Sequence, residues 1–205
     1  MVMMMRGSKN GLLLIVSGPA GSGKTTVCNR LAEKFAPEVE RVVTSTTRAP
    51  REGERHGVDY FFFSEEEFNE LIRKGQFYEH AKVHTYRYGT LKKAILDKLE
   101  SEIDLILSID VQGAASVREA TRGDPELAPR VKTVFIVPEN LDQIRRRLKR
   151  RGLDDEAEIE RRLKTAEREL AGRNEFNHQF VSGDREEDFR RLCEIYREEK
   201  SRLSD

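Results

Sequence analysis

The sequence predicts an α/β protein: a parallel sheet core flanked by helices, interrupted by an insert with strands of its own and by an arginine-rich helical segment. Three observations predict it. Leu12-Leu13-Leu14-Ile15-Val16-Ser17 is an unbroken apolar run without period-2 alternation, as a central parallel strand buried on both faces requires. Gly18-Pro19-Ala20-Gly21-Ser22-Gly23-Lys24-Thr25 follows it directly and fits G-x-x-x-x-G-K-[ST]. Further apolar runs then alternate with helical patterns, the rhythm of a sheet with crossover helices.

The second of these stretches is a phosphate-binding loop. Its backbone N–H groups can curl around an anion because glycine places no Cβ in the way. Lys24 supplies a point charge for β- and γ-phosphates, the Thr25 hydroxyl is placed to ligate Mg²⁺, and the next helix offers its positive end. That helix shows Val27, Leu31, Ala32 and Phe35 at helical spacing, leaves Asn29, Arg30, Glu33 and Lys34 for water, and stops at Pro37.

Composition sets the outer bounds. A length of 205 residues suits one α/β domain with insertions. Lys+Arg and Asp+Glu are equal at 37 each, so the basic excess of a non-specific nucleic-acid binder is missing and no nucleic-acid partner is expected. Cys28 and Cys193 lie far apart without C-x-x-C spacing, which fits buried thiols in a reducing compartment. Arg6 and Lys9 precede an apolar run of only about half a dozen residues that leads into the phosphate loop, not a cleavage site. Nothing approaches the ~18 apolar residues of a membrane span. A cytoplasmic protein with a frayed N-terminus is expected; the oligomeric state is left open.

In chain order, Val39 to Thr44 reads as a short strand. Thr44 to Tyr60 is polar, rich in hydroxyls and arginine, and broken by Pro50, Gly53 and Gly57, hence a loop. It is either a solvated connection or a phosphate clamp in which Arg48 and Arg51 share one anion with the Tyr60 hydroxyl. Tyr60 to Phe63 reads as a strand, Ser64 and Glu67 as a capping box, and Phe68, Leu71 and Ile72 as the buried stripe of a helix ending at Gly75. Phe77 to Val83 and Tyr86 to Thr90 are extended; His80 and His84, four apart, lack a third metal ligand nearby. A helix carries Leu91, Ala94, Ile95 and Leu99.

Ile103 to Asp110 reads as the second buried strand, its terminal carboxylate in the crevice beside the phosphate loop. A helix from Ala114 to Ala120 and a third strand, Val131 to Val137, follow. Leu141 to Arg151 is a helix with Leu141, Ile144 and Leu148 apolar and arginine or lysine at most other positions; Gly152 breaks it. Ile159, Leu163, Ala166 and Leu170 stripe the next helix, which carries Arg162. So many cations make a solvated or RNA-binding face, or a lid that supplies charge to a transferring phosphoryl group. Phe176 to Val181 reads as a last strand and Asp188 to Leu203 as a terminal helix.

With the loop in place, Thr46-Thr47-Arg48-Ala49-Pro50-Arg51-Glu52-Gly53-Glu54, Gly57-Val58-Asp59-Tyr60-Phe61-Phe62, Glu79-His80-Ala81, Tyr88-Gly89-Thr90 and Ile109-Asp110-Val111-Gln112-Gly113 resemble guanylate kinase in order and spacing. The resemblance runs from about Leu12 to the terminal helix. It implies a P-loop kinase that moves the γ-phosphoryl group of ATP to GMP or dGMP with Mg²⁺. Its implied division is a core (1–43, 91–137 and 164–205), a GMP-binding subdomain (44–90) and a lid (138–163).

Carried over by position, Gly18, Pro19, Ala20, Gly21, Ser22, Gly23, Lys24, Thr25 and Thr26 would hold ATP, with Thr25 on the metal. Arg48, Arg51, Tyr60 and Tyr88 would hold the GMP phosphate. Glu79 and Asp110 would face the guanine N1–H and amino group, with Thr44 and Thr90 completing that edge. Lys24, Arg147, Arg151 and Arg162 would be catalytic. The chain departs from the family in having Ser108 two residues before Asp110, where aspartate is common, Thr44 where serine is frequent, and Ser182-Gly183-Asp184 in place of Asn-Asp. Peptide-binding modules of the same lineage generally have a degraded loop, whereas here Gly18, Gly23, Lys24 and Thr25 are intact.

Overall fold

The computed structural model describes residues 11–83, 85–152 and 155–204, without the side chains of Arg151 and Ser204. The expected frayed N-terminus therefore lies outside the described residues, as does His84. In order, the elements are β1 (Leu13–Ser17), α1 (Lys24–Lys34), β2 (Val39–Arg41), β3 (Ser45–Thr46), β4 (Phe61–Phe62), α2 (Glu65–Arg73), β5 (Phe77–Val83) and β6 (Tyr86–Leu91). Then come α3 (Lys92–Glu100), β7 (Asp104–Ser108), α4 (Val111–Thr121), β8 (Val131–Val137), α5 (Leu141–Arg151), α6 (Glu156–Ala171), β9 (His178–Val181) and α7 (Arg185–Ser204).

Five parallel strands in the order β2-β7-β1-β8-β9 make the central sheet. β1 is buried along its whole length because successive side chains enter different cores. Leu12, Leu14 and Val16 pack with Val27 and Leu31 of α1 and Leu192 and Tyr196 of α7; Leu13 and Ile15 pack with Ile95 and Leu99 of α3 and Ala114 and Val117 of α4. Each such aliphatic side chain contributes about 1.5–3 kcal/mol on burial, so an alternating polar pattern would forfeit one of the two layers. The chain leaves β1 toward β2 on one side and, after β7, crosses to β8 on the other. Strand order thus reverses at the carboxyl end of β1, the place where open α/β sheets hold ligands.

The segment between β2 and α3 forms a second sheet in the order β4-β3-β6-β5, with β3 and β4 parallel and the β3/β6 and β5/β6 pairs antiparallel. Its helix starts as the sequence predicts: the Ser64 amide donates to Glu67 Oε2 at 2.8 Å and the Glu67 amide to Ser64 Oγ at 3.1 Å. Phe68 alone on α2 is fully buried, stacked 4.5 Å from Phe77, while Leu71 and Ile72 are half-buried. The buried stripe is therefore narrower than the three-residue spacing predicts.

Several boundaries differ from expectation. β2 ends at Arg41 rather than Thr44; the Val42 amide still reaches the Ile106 carbonyl, but Ser45 already belongs to the other sheet. The Thr44–Tyr60 loop contains β3, a two-residue strand too short to show periodicity. β7 stops at Ser108, and Asp110 is the N-cap of α4 rather than a strand end. α4 consequently starts at Val111, ahead of the expected Ala114.

α5 and α6 share an apolar cluster of Ile144, Leu148, Ile159, Leu163 and Ala166, and α6 runs unbroken past Leu163 to Ala171. Arg145 pairs with Glu156 and Glu160, and Lys149 with Glu156, so part of the basic face ties one helix to the other. α5 also covers the phosphate loop: a Cβ on Gly21 would sit 3.6 Å from Ile144 and Leu148.

Candidate active site

The loop after β1 has the geometry its glycines predict. Gly18 has φ 141° and a Cβ there would lie 2.6 Å from the Ile136 carbonyl oxygen, so the turn against β8 admits glycine alone. Gly23, at φ 94°, is the N-cap of α1 and brings no side-chain cap, leaving the helix's first amides to an incoming anion. Lys24 Nζ folds back over the loop and donates to the Gly18 and Pro19 carbonyls at 2.6 and 3.0 Å. Burial lowers the Lys24 pKa, opposed chiefly by the Glu169 and Asp110 carboxylates. Thr25 and Thr26 are exposed on the first turn of α1.

In the second sheet, Arg48 is already engaged. Its Nη2 donates to Glu54 Oε1 at 2.9 Å, its Nη1 donates to the Ala49 carbonyl at 2.8 Å, and its guanidinium lies 5.6 Å from the Tyr60 ring centre and 5.8 Å from that of Phe62. Glu54 Oε2 also takes the Arg51 amide at 2.7 Å, which holds the Pro50–Glu54 turn in shape. Tyr60 and Tyr88 meet edge to face at 6.2 Å. The structure thus brings Arg48, Tyr60 and Tyr88 together, with Arg51 exposed beside them.

Two carboxylates converge below. Glu79, on β5, accepts the Thr90 hydroxyl of β6 at 2.6 Å; Asp110 Oδ1 accepts the Gly113 amide at 2.7 Å. A Cβ on Gly113 would be 3.4 Å from Asp110 Oδ1 and 3.4 Å from Glu79 Oε2, so both acids border the same point. Burial raises the Glu79 pKa and Asp110 adds to it, while the Thr90 hydrogen bond opposes. Thr44 is half-buried at the crossing into the second sheet, where its carbonyl accepts the Phe61 amide.

The arginines expected to act together are placed differently from one another. Arg147 Nη1 reaches toward the Gly21 carbonyl at 3.4 Å, on the phosphate loop itself. Arg162 donates through Nε to Glu158 of its own helix at 3.0 Å. The Arg151 side chain lies outside the described residues. Glu169 on α6 was not legible as a site residue, yet its charge acts on Lys24; burial and Asp110 push its pKa up to about 7, while Lys24 pulls it down. A signal existed: Glu169 follows Ile159, Leu163 and Ala166 on the buried stripe, where a carboxylate is out of place.

Among the described residues no group of three or more His, Cys, Asp or Glu is placed to hold a metal, and His80 is exposed. Mg²⁺ needs no such cage, since it keeps several waters and takes one or two protein oxygens besides phosphate oxygens. The exposed Thr25 hydroxyl at the mouth of the loop fits that demand. Burial raises the pKa of the Cys28 thiol to about 12, opposed by Arg41, Lys24 and Ser108. Both cysteines are free and buried, as their spacing led us to expect.

The guanylate kinase family model matches residues 10–199. The chain belongs to the guanylate kinase family. It is 39% identical over 195 residues to the guanylate kinase of Caldanaerobacter subterraneus subsp. tengcongensis, covering 95% of this chain and 91% of that protein. Against the guanylate kinase of Clostridioides difficile it is 38% identical over 196 residues, covering 96% and 92%. The crystal structure of guanylate kinase from Anaplasma phagocytophilum superimposes with a TM-score of 0.70 at 33% identity, over 93% of this chain and 86% of that one. The chain is thus an enzyme of the guanylate kinase type, with the phosphate loop at the carboxyl end of a parallel strand. Among the described residues no helix is long and apolar enough to cross a membrane.

Proposed function

We propose that this enzyme transfers the γ-phosphoryl group of ATP to GMP, and to dGMP, giving ADP and the corresponding diphosphate, in the cytoplasm. The observation that carries the reading is the meeting of Glu79 and Asp110 at Gly113, between a phosphate loop and a guanidinium-phenol cluster. Guanine presents adjacent donors at N1 and N2, which paired acids accept; adenine would turn a bare lone pair toward an anion. Sites built on such bonds discriminate by about 10⁴ or more.

In this reading Gly18 to Thr26 hold the ATP phosphates. Arg48, Arg51, Tyr60 and Tyr88 hold the GMP phosphate, and Glu79, Asp110, Thr44 and Thr90 hold the base. The attacking GMP oxygen is already ionised, so no general base is required. Lys24, Arg147, Arg151 and Arg162 align the two phosphates and neutralise the charge spread over the transferring group. The Thr25 hydroxyl would hold Mg²⁺, which when bound adds positive charge on the phosphate oxygens. Segment 44–90 and segment 138–163 close on the core as rigid bodies and exclude water, protecting ATP from hydrolysis.

The test is ADP release from ATP and Mg²⁺ with GMP, dGMP, AMP, UMP or RNA as second component. GMP and dGMP alone should support it. Equal release with AMP or with RNA would remove the proposed acceptor.

A further inference from the structure

The turn between β9 and α7 is organised by a single hydroxyl. Ser182 is 2% exposed, and Asp188 in the first turns of α7 is 3% exposed. Ser182 Oγ donates its one proton to Asp188 Oδ2 at 2.8 Å, so both of its lone pairs are left to accept. They meet one partner. Arg147 Nη1 and Nη2 each donate to Ser182 Oγ at 3.1 Å, and Nη2 also donates to the Gly183 carbonyl at 3.2 Å.

The turn itself is pinned on every side. Asp188 Oδ1 accepts the Gly183 amide at 2.8 Å, and Gln143 Nε2, one helical turn before Arg147 on α5, donates to the Ser182 carbonyl at 3.2 Å. The fourth contact of the guanidinium, to the Gly21 carbonyl, is its longest at 3.4 Å, and Nη1 stands 4.0 Å from where a Cβ on Gly23 would be. That edge therefore faces the phosphate loop. A serine hydroxyl left to rotate could turn its proton toward the guanidinium and repel it; the buried carboxylate removes that option.

We infer that Asp188 and Ser182 form a positioning relay for Arg147: the carboxylate fixes the hydroxyl as an acceptor, and the hydroxyl fixes the guanidinium against the phosphate loop. The relay rests on the proposed role of Arg147 toward the transferring phosphate. Neither Ser182 nor Asp188 needs to touch a nucleotide to matter.

The experiment is steady-state phosphoryl transfer to GMP by the full chain, with the amount folded measured by urea unfolding. The variants are Ser182→Ala, Asp188→Asn, Arg147→Lys and Arg147→Lys combined with Ser182→Ala. Ser182→Ala should lower kcat roughly tenfold, with the GMP KM within about twofold of the parent, because it loosens alignment without removing an acceptor contact. In the Arg147→Lys background the same change should add nothing, since the relay then has no guanidinium to hold. If Ser182→Ala does not fold, Asp188→Asn, which keeps the shape and loses the charge, should lower kcat in the same direction.

A kcat unchanged by Ser182→Ala while Arg147→Lys is impaired overturns the relay and leaves the proposed function standing. Additive losses in the double variant do the same, because they show a purely structural effect. Unchanged kcat in Arg147→Lys removes the role on which the relay depends, and failure of the parent chain to phosphorylate GMP removes the proposed function itself.

Discussion

In the proposed function the phosphate loop and the insert between Thr44 and Thr90 would both receive anions, by opposite means. The loop uses main chain: left-handed Gly21 and Gly23, the close approach of Gly18 to Ile136 and an uncapped helix start, with Lys24 the one charge added. The insert uses side chains from separate strands and a turn, Arg48 held by Glu54 and flanked by Tyr60 and Tyr88. Backbone amides are fixed by the fold and read only charge and shape. Guanidinium and phenol groups need neighbours to aim them, and the Glu54 carboxylate that aims Arg48 would compete with a phosphate bound there. On the proposed function the first kind of site stands preformed, whereas the second would be completed by its ligand.

The sharpest way to break this contrast is Lys24→Ala. It should lower kcat by about 10³ or more while leaving the far-UV circular dichroism unchanged, because Lys24 bonds only loop carbonyls. Turnover within a few-fold of the parent would mean that main-chain amides suffice. Arg48→Lys comes next: an ammonium cannot fork, so the GMP KM should rise roughly thirtyfold with a smaller change in kcat. Glu79→Gln should raise the GMP KM about tenfold and narrow the preference over AMP, since an amide donates as well as accepts. Unchanged discrimination would take Glu79 out of the base pocket.

Backbone changes sharpen the same comparison. Gly18→Ala should destabilise the fold by about 3 kcal/mol, from strain plus the clash with Ile136; Gly53→Ala, with nothing within 4 Å, should cost only the left-handed penalty of about 1 kcal/mol. Urea midpoints decide it, and equal losses would mean that the two loops are equally constrained. The smallest effect is a pH dependence. Glu169 has its pKa raised to about 7, above the ordinary 4.5, so the folded chain holds this proton more tightly than the unfolded one. The associated stability is complete below 4.5 and lost as pH rises through about 7. Glu169→Gln should shrink the difference between urea midpoints taken at about pH 5 and about pH 8.

What could be read in advance follows from how local the cause is. Gly18, Gly21 and Gly23 announce themselves because only glycine satisfies their backbone, and Ser64 with Glu67 because a capping box spans four residues. The two-layer burial of β1 was visible as missing alternation. Asp110 was misplaced at a strand end because a strand terminus and a helix N-cap share the same residue preference. Arg147 was recognisable by position, but its seat on Ser182 joins residues 35 apart in sequence, and no periodicity records such a distance. The influence of Glu169 on Lys24 depends likewise on tertiary packing: a carboxylate on the α6 stripe marks a site residue without naming its partner.

Asp104 carries a different lesson. This 2%-exposed carboxylate accepts the Leu12 amide at 2.8 Å, the Tyr196 hydroxyl at 2.8 Å and Lys200 Nζ at 2.7 Å, joining the first strand to the last helix. Without Tyr196 and Lys200 this acid would keep only the Leu12 amide, so a single carboxylate couples the amino end of the sheet to the docking of α7, and removing either partner on that helix leaves its charge less compensated.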